Sequence, residues 1–521
     1  MRNLIIIICL VLTFSNCSTD FIERSSENSL TASNFFNSEE DIQLALNGIY
    51  SSLQGASMYG GGLNQWQGFP GYDGIGDNAF NQYKWEGPGN YMEGIANPNT
   101  GIFNSLWTDS YRTIARANLV IQKVQEISTD IVSQDKKNQL LGQAYFLRGL
   151  LYFNLAVFYE SAPLITEPQT LENAFVAKNT YEELTTQIVT DLTFASENLP
   201  PIQTNQFGYA TKGAAFALFA RVQLYNKEYT GTYGVIELTN KILGLGYSLH
   251  PNYSELFSQK GEQSPEIVFS VRFLQNALTN NGETFSGTYG GTPKVDQRPM
   301  PNLVNDYYCV DGLPINSSPL YDANNKGLNR DPRANATIYF KGDVYYKPDP
   351  SDPSQDRAFL GNGPTQFGMR KYIRQSPDLT LGINTYDPGS QDFYLIRYAD
   401  VLLMRAEAMV ETGDVSGATE LVNQVRARVG MPRVQDVEGA VGKGQMRTIV
   451  RHERRVELAL EGLRFIDLKR WDQLEEAVIR ASGDPVPSYN PQYLAGKSSV
   501  FPIPQNEINV NPKLIQHPAW Q

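Results

Sequence analysis

The chain has 521 residues, 41% of them hydrophobic, and a formal net charge of -12. A chain this long can bury a large core, and its negative balance sets nucleic acid and anionic lipid aside as ligands, since both would be repelled rather than held by counterion release. With three histidines in all (His250, His452 and His517), a catalytic triad or zinc centre is poorly supplied.

At the N-terminus, Arg2 is followed by an apolar run from Leu4 to Leu12 and then by Phe14, Ser15, Asn16 and Cys17. A basic start, a short apolar stretch and a cysteine read as a lipoprotein export signal over 1–16. The run falls short of the ~20 residues that span a bilayer. Cleavage would leave Cys17 as the lipid-bearing residue and 17–31 as a polar, lipidated tether. An ordinary secretory signal with an incidental cysteine is the alternative. Cys9 would leave with the signal, so Cys309 would remain without a disulfide partner.

Helical patterning opens at 38–53. The next stretch, 57–100, breaks it and is crowded with Gly, Asn, Tyr and Trp. Long loops in a compact protein are functional or disordered, and the aromatic content here speaks for order. Sugar rings offer apolar C–H faces and a rim of hydroxyls, so a glycan site wants flat aromatics for the faces and polar side chains for the rim. Trp66, Tyr72, Tyr83 and Trp85 are the candidate carbohydrate-binding platforms, with Asp73, Asp77, Asn78 and Asn81 as hydrogen-bonding candidates. For any one ring the competing role is to pin the Gly-rich loop to the scaffold.

Further helices are expected at 103–127, 134–158, 181–198, 211–227 and 234–243. A second non-helical layer follows at 276–392, rich in Pro, Gly, Asp and Asn, with short β-like pieces at 336–340 and 343–347. Here Tyr289, Tyr307, Tyr308 and Arg370 are weaker ligand candidates, and Arg370 serves equally as a structural ion-pair partner. Residues 322–327 begin like a calcium loop, but Arg333 stands where the closing Glu belongs. No cofactor is assigned, with a weaker structural calcium site as the alternative.

In 396–471, Tyr398, Leu402, Ala406 and Met409 recur at helical steps, as do Ala418, Leu421, Val422, Val425 and Val429. Gly413 and Gly430 stand where left-handed C-caps are needed, and Ser416 is the expected cap of the second helix. The pair is a helical hairpin whose small residues suit stacked pairs. A further helix is expected at 444–462. On it Glu453, Glu457 and Glu461 share a face, where salt bridges to neighbouring arginines are favoured over a metal site. Enzyme motifs fail: the Gly-x-Gly-x-x-Ala at 74–79 lacks a preceding apolar strand, and neither HExxH nor GxSxG occurs. A length prior of ~150 residues per domain would divide the chain in three, but stacked repeats form one continuous body, so 32–521 is read as a single domain.

The wording of several tracts is specific. LIRYADVLLMRAEA, VNQVRARVG, ERRVELALEGLRFIDLKRW and FPIPQNEINVNPKLIQHP in the last quarter of the chain, with GQAYFLRGLLYFNLAVFYESAPLIT, ATKGAAFALFARVQLY, VDGLPI and RDPR before them, resemble the SusD/RagB family of starch-utilisation-type surface lipoproteins. Two departures are Asn16 before Cys17, where Gly or Ala is usual, and HPAW near the end, where relatives tend to read NPGY. The resemblance implies a mostly α, tetratricopeptide-like helical superhelix with an overlaid loop and β-hairpin ligand layer. It also implies a lipid-anchored outer-membrane protein facing the exterior that captures oligo- or polysaccharide for a SusC-like TonB-dependent transporter and makes or breaks no bond. A neutral β-glucan suits the Trp-bearing loops and acidic surface. A glycoside hydrolase, a purely structural partner of the transporter and a RagB-like peptide-binding lid are the competing readings.

Overall fold

The computed structural model describes residues 35–60, 69–81, 91–202, 207–274, 288–289, 292–293, 297–349, 351–374 and 389–521. The export signal, Cys17 and the tether lie outside these, as do Trp66, Tyr83 and Trp85.

The frame is helical. α1 (Glu39–Ser52), α2 (Gly101–Glu126), α3 (Gln134–Tyr159), α4 (Tyr181–Asn198), α5 (Lys212–Tyr225) and α6 (Val235–Leu243) pack in sequence order, apart from the extra contacts α3 makes with α1 and α5. Local chemistry sets their starts. Ser38 accepts from the Asp41 amide at 3.1 Å at the head of α1, whose first turn carries Glu39, Glu40 and Asp41 against the helix dipole. Thr180 and Glu183 form a reciprocal capping box on α4. In α3, 20 of 26 residues are buried, so this helix is enclosed on every side rather than amphipathic. Gly142 and Gly149, seven residues apart, let α4 come close: a Cβ at either would sit 3.1 or 3.2 Å from Leu199 or Leu192. Between the same helices Arg148 grips Asp191 with two hydrogen bonds of 2.8 and 2.7 Å.

The array resumes after the second loop layer. α7 (Tyr398–Thr412) packs on α5 and α6 as well as on α8 (Val415–Arg428) and α9 (Lys443–Glu457), which joins the two halves of the chain into one stack. Gly413 is left-handed at φ 98° and closes α7, as its position predicts. Asp414, not Ser416, caps α8, accepting from the Gly417 amide at 2.8 Å. α9 ends at Glu457, short of the expected 462, and is followed by α10 (Arg464–Arg470) and α11 (Leu474–Ser482).

Strands are short and pair in twos, all antiparallel. They are β1 (Ala79–Asn81) with β5 (Gln297–Pro299), β2 (Ile267–Val271) with β10 (Phe393–Arg397), β3 (Thr288–Tyr289) with β4 (Thr292–Pro293), β6 (Ile338–Tyr339) with β9 (Gly368–Met369), and β7 (Val344–Tyr346) with β8 (Arg357–Ala358). The β-like pieces expected at 336–340 and 343–347 are β6 and β7. One hydrophobic cluster runs from Ile42 to Leu514 and takes in α1 to α5, β2, β10 and the Phe501 region. No described helix is long and apolar enough to cross a membrane.

Candidate carbohydrate-binding face

The pairing of β1 with β5 brings the two loop layers together. Ala79 stands opposite Pro299 and Asn81 opposite Gln297, and the Met300 amide donates to the Asn78 carbonyl at 2.9 Å. The chain leaves Asn81 into 82–90, which carries Tyr83 and Trp85, and enters Gln297 from the stretch that carries Tyr289. Both segments therefore start from the same end of one ladder. Of Tyr289 the structure gives the backbone, opposite Thr292.

Behind this ladder, 69–81 is seated on the C-terminal helices. The Asp73 carboxylate accepts from the Leu460 amide and, at 3.3 Å, from the Arg464 amide at the start of α10. Asp77 sits among three guanidinium groups, with Arg464 at 2.7 Å, Arg480 at 2.8 Å and Arg455 at 3.2 Å, while Arg455 also donates to Asn78 at 2.9 Å. Burial pushes the Asp73 carboxyl up to about 6, only partly countered by those amide donors. Burial would raise Asp77 too, but Arg455, Arg464 and Arg480 together outweigh it and hold its carboxyl far below the usual range.

These facts correct the sequence expectation. Tyr72 and Asp73 are 0% exposed and Asn78 is 1% exposed; Asp77 and Asn81 are buried with them. Tyr72 packs on Phe158 with ring centroids 4.9 Å apart and on Phe501 at 6.2 Å. All five face the interior, where they fasten the loop, and none offers a surface to a ligand. In the second layer Arg370 is half-buried, donates to the Asn335 carbonyl at 2.9 Å, lies over the Tyr339 ring at 5.3 Å and reaches Asp343 at 4.0 Å. Its structural role is the one this geometry supports. Tyr307 is buried with its hydroxyl on the Val456 carbonyl at 3.1 Å, and Tyr308 stacks on His452 at 4.1 Å. Of the other candidate rings, Trp66, Tyr83 and Trp85 lie outside the described residues, and of Tyr289 only the backbone is described.

The acidic face of α9 is a buried ion-pair network, as expected over a metal. Arg333 meets Glu453 at 2.6 Å and Glu457 at 3.2 Å, Arg397 meets Glu266, Glu457 and Glu461 at 2.5, 3.1 and 2.7 Å, Arg428 reaches Glu457 at 2.5 Å, and Lys371 reaches Glu461 at 2.9 Å. Burial alone would raise Glu453 and Glu457, but the arginines win: Glu453 is held down at about 2, with Arg333 and Arg426 responsible, and Glu457 lies lower still. Arg333 and Lys371 come from the loop layer, so this network ties that layer to the frame. Their part was not readable from α9; the only signal was that three carboxylates on a buried face demand cations from somewhere. Residues 322–327 form a turn in which Asp322 accepts from the Asn324 amide at 2.8 Å, and among the described residues no three His, Cys, Asp or Glu side chains converge as a metal site.

Residues 265–520 match the SusD family, and 20–224 match the family described as starch-binding and associating with the outer membrane. SusD-like protein P25 of Formosa agariphila is 26% identical over all of this chain and 98% of its own length. Starch-binding protein SusD of Bacteroides thetaiotaomicron is 25% identical over 72% of each chain. The crystal structure of a SusD-like carbohydrate binding protein from Bacteroides fragilis superposes with a TM-score of 0.79 at 28% identity, over 92% of this chain and 100% of that one. By these matches and by its helical frame with small sheets, this chain belongs to the SusD family, non-catalytic surface glycan-binding proteins associated with the outer membrane.

Proposed function

We propose that this protein captures oligo- or polysaccharide on the aromatic rings of its loop layer, Trp66, Tyr83, Trp85 and Tyr289, and passes it to a SusC-like TonB-dependent transporter on which it sits as a lid. The observation that carries this reading is the β1–β5 ladder: two loops rich in flat side chains start side by side from a base fixed by Asp73, Asp77 and Arg464. A base fixed by buried ion pairs limits the ordering cost of binding beside it. Cys17 is the lipid anchor that holds the protein on the outer face of the membrane, and residues 32–521 work as one body. The Trp-bearing loops and the net charge of -12 suit a neutral polymer such as a β-glucan, and the starch-binding relative supports a neutral glucan more generally.

A glycan array probed with the purified protein tests capture, and affinity purification from solubilised outer membrane tests the partner. Binding to a saccharide and co-purification of a membrane barrel are expected. Binding to peptides and to no glycan would replace this reading with a peptide-binding lid.

A further inference from the structure

A cleft of about 210 Å³ opens between the end of α1, residues 207–209 and the end of β2, with Tyr50, Gln54, Phe207, Tyr209 and Arg272 among its walls. Phe207 is 41% exposed, yet it is held in place: the Arg272 guanidinium lies over its ring, 5.8 Å from the centroid. Gly208 makes this approach practicable. It is left-handed at φ 100°, and a Cβ there would fall 2.5 Å from Arg272 Cγ. Arg272 is fixed in turn by Asp392, its Nε 2.9 Å from the carboxylate, while its Nη1 is buried and has no hydrogen-bond partner among the described residues. Opposite, Tyr50 and Tyr209 meet edge to face at 5.4 Å, and the Tyr209 hydroxyl donates to Asn47 at 3.0 Å.

An exposed flat ring beside a guanidinium side chain that is 36% exposed, with the Gln54 amide on the same cleft, is the pairing that a pyranose asks for, its apolar face on the aromatic and its hydroxyl rim on the donors. The volume lies below the ~300 Å³ floor of drug-sized pockets, so the space suits one ring rather than a chain. The position links it to the loop layer. The Gln54 amide donates to the Arg272 carbonyl at 2.7 Å; Gly60 precedes the segment that carries Trp66, and a Cβ on Gly60 would touch Phe273 at 3.3 Å. The cleft is therefore built at the roots of the segments that bear Trp66 and Tyr289.

We propose that this cleft is an accessory saccharide subsite, holding one sugar ring of a longer glycan whose main contacts are with the loop-layer aromatics. It rests on the glycan-binding reading above. Titration calorimetry of wild type, Phe207→Ala and Phe207→Trp with the di- and hexasaccharides of β-1,3-glucan and of the malto series tests it. For the series that binds, Phe207→Ala is expected to weaken the hexasaccharide about threefold to tenfold, to leave the disaccharide unchanged, and to be rescued by Phe207→Trp. Hexasaccharide affinity within twofold of wild type for Phe207→Ala would overturn the subsite and leave the parent reading standing. A wild type that binds neither series overturns the subsite together with the neutral-glucan reading.

Discussion

Arg464 donates through Nε to Asp77 at 2.7 Å, across 387 positions of the chain, and the same carboxylate also receives Arg455 and Arg480. Asp77 is 0% exposed, so a buried anion is surrounded by three cations, of which Arg455 also reaches the Asp306 carboxylate at 3.0 Å. Breaking a buried pair from one side strands the remaining charge and costs about 3–5 kcal/mol. Asp77→Asn is expected to lower unfolding stability by that amount in urea denaturation, and to weaken glycan binding because the base of 82–90 loses its anchor. An unchanged midpoint would show that the arginines are satisfied without it.

Tyr72 and Trp85 were alike as sequence candidates and are expected to part company in experiment. Tyr72→Ala removes a fully buried ring from between Phe158 and Phe501, and should cost about 3–5 kcal/mol of stability. Trp85→Ala should instead lose affinity, by about 1 kcal/mol or more for a stacked ring. Calorimetry on Trp66→Ala and Trp85→Ala decides: wild-type affinity in both would remove this loop from the site.

Acid should loosen the fold. Glu453, Glu457 and Asp77 have carboxyls held below their unfolded values by buried arginines. Their stabilisation is full above about pH 4.5 and is lost as pH falls toward the folded value, about 2 for Glu453. Asp73 runs the other way: its carboxyl is raised to about 6, so its contribution is largest below about pH 4 and declines through 6. Asp306, Asp400 and Asp467 are held down by arginines in the same way. Together with Glu453, Glu457 and Asp77 they outnumber Asp73 and the other carboxyls that burial raises, Asp191, Asp392, Asp484 and Glu507, so the denaturation midpoint is expected to drop between pH 5 and 3. Glu453→Gln should flatten that slope; a midpoint constant over this range would contradict the network's role.

Cys17→Ser should abolish acyl labelling and release the protein from the membrane fraction, as should globomycin treatment of the wild type. A labelled variant would place the lipid elsewhere, and an unlabelled wild type would make the leader an ordinary secretory one.

The helices were legible because their signals are local. Thr180 and Glu183 bracket the start of α4 in sequence as they do in space, and Gly413 ends α7 because few other residues take its φ of 98°. The limits of this reading show at Asp414, which took the cap expected of Ser416, and at the end of α9, where the chain turned at Glu457 although the apolar pattern ran on. Asp73, Asn78 and Tyr72 were misplaced for a different reason. A carboxylate, an amide and a phenol in a Gly-rich loop have the same composition whether they face sugar or arginine, and nothing near them in sequence names Leu460, Arg455 or Phe158 as partners.

By itself the sequence determined the helical frame, the family and the acidic face of α9 as a set of ion pairs, because periodicity, caps and charge spacing are properties of neighbouring residues. Only the tertiary structure decided which polar residues of the loop layer are interior, that β1 lies against β5, and that Arg333, Arg397 and Lys371 converge on the carboxylates of α9 and of Glu461 just past its end. These relations join positions far apart in the chain. They follow from the burial of charges that the core must then satisfy.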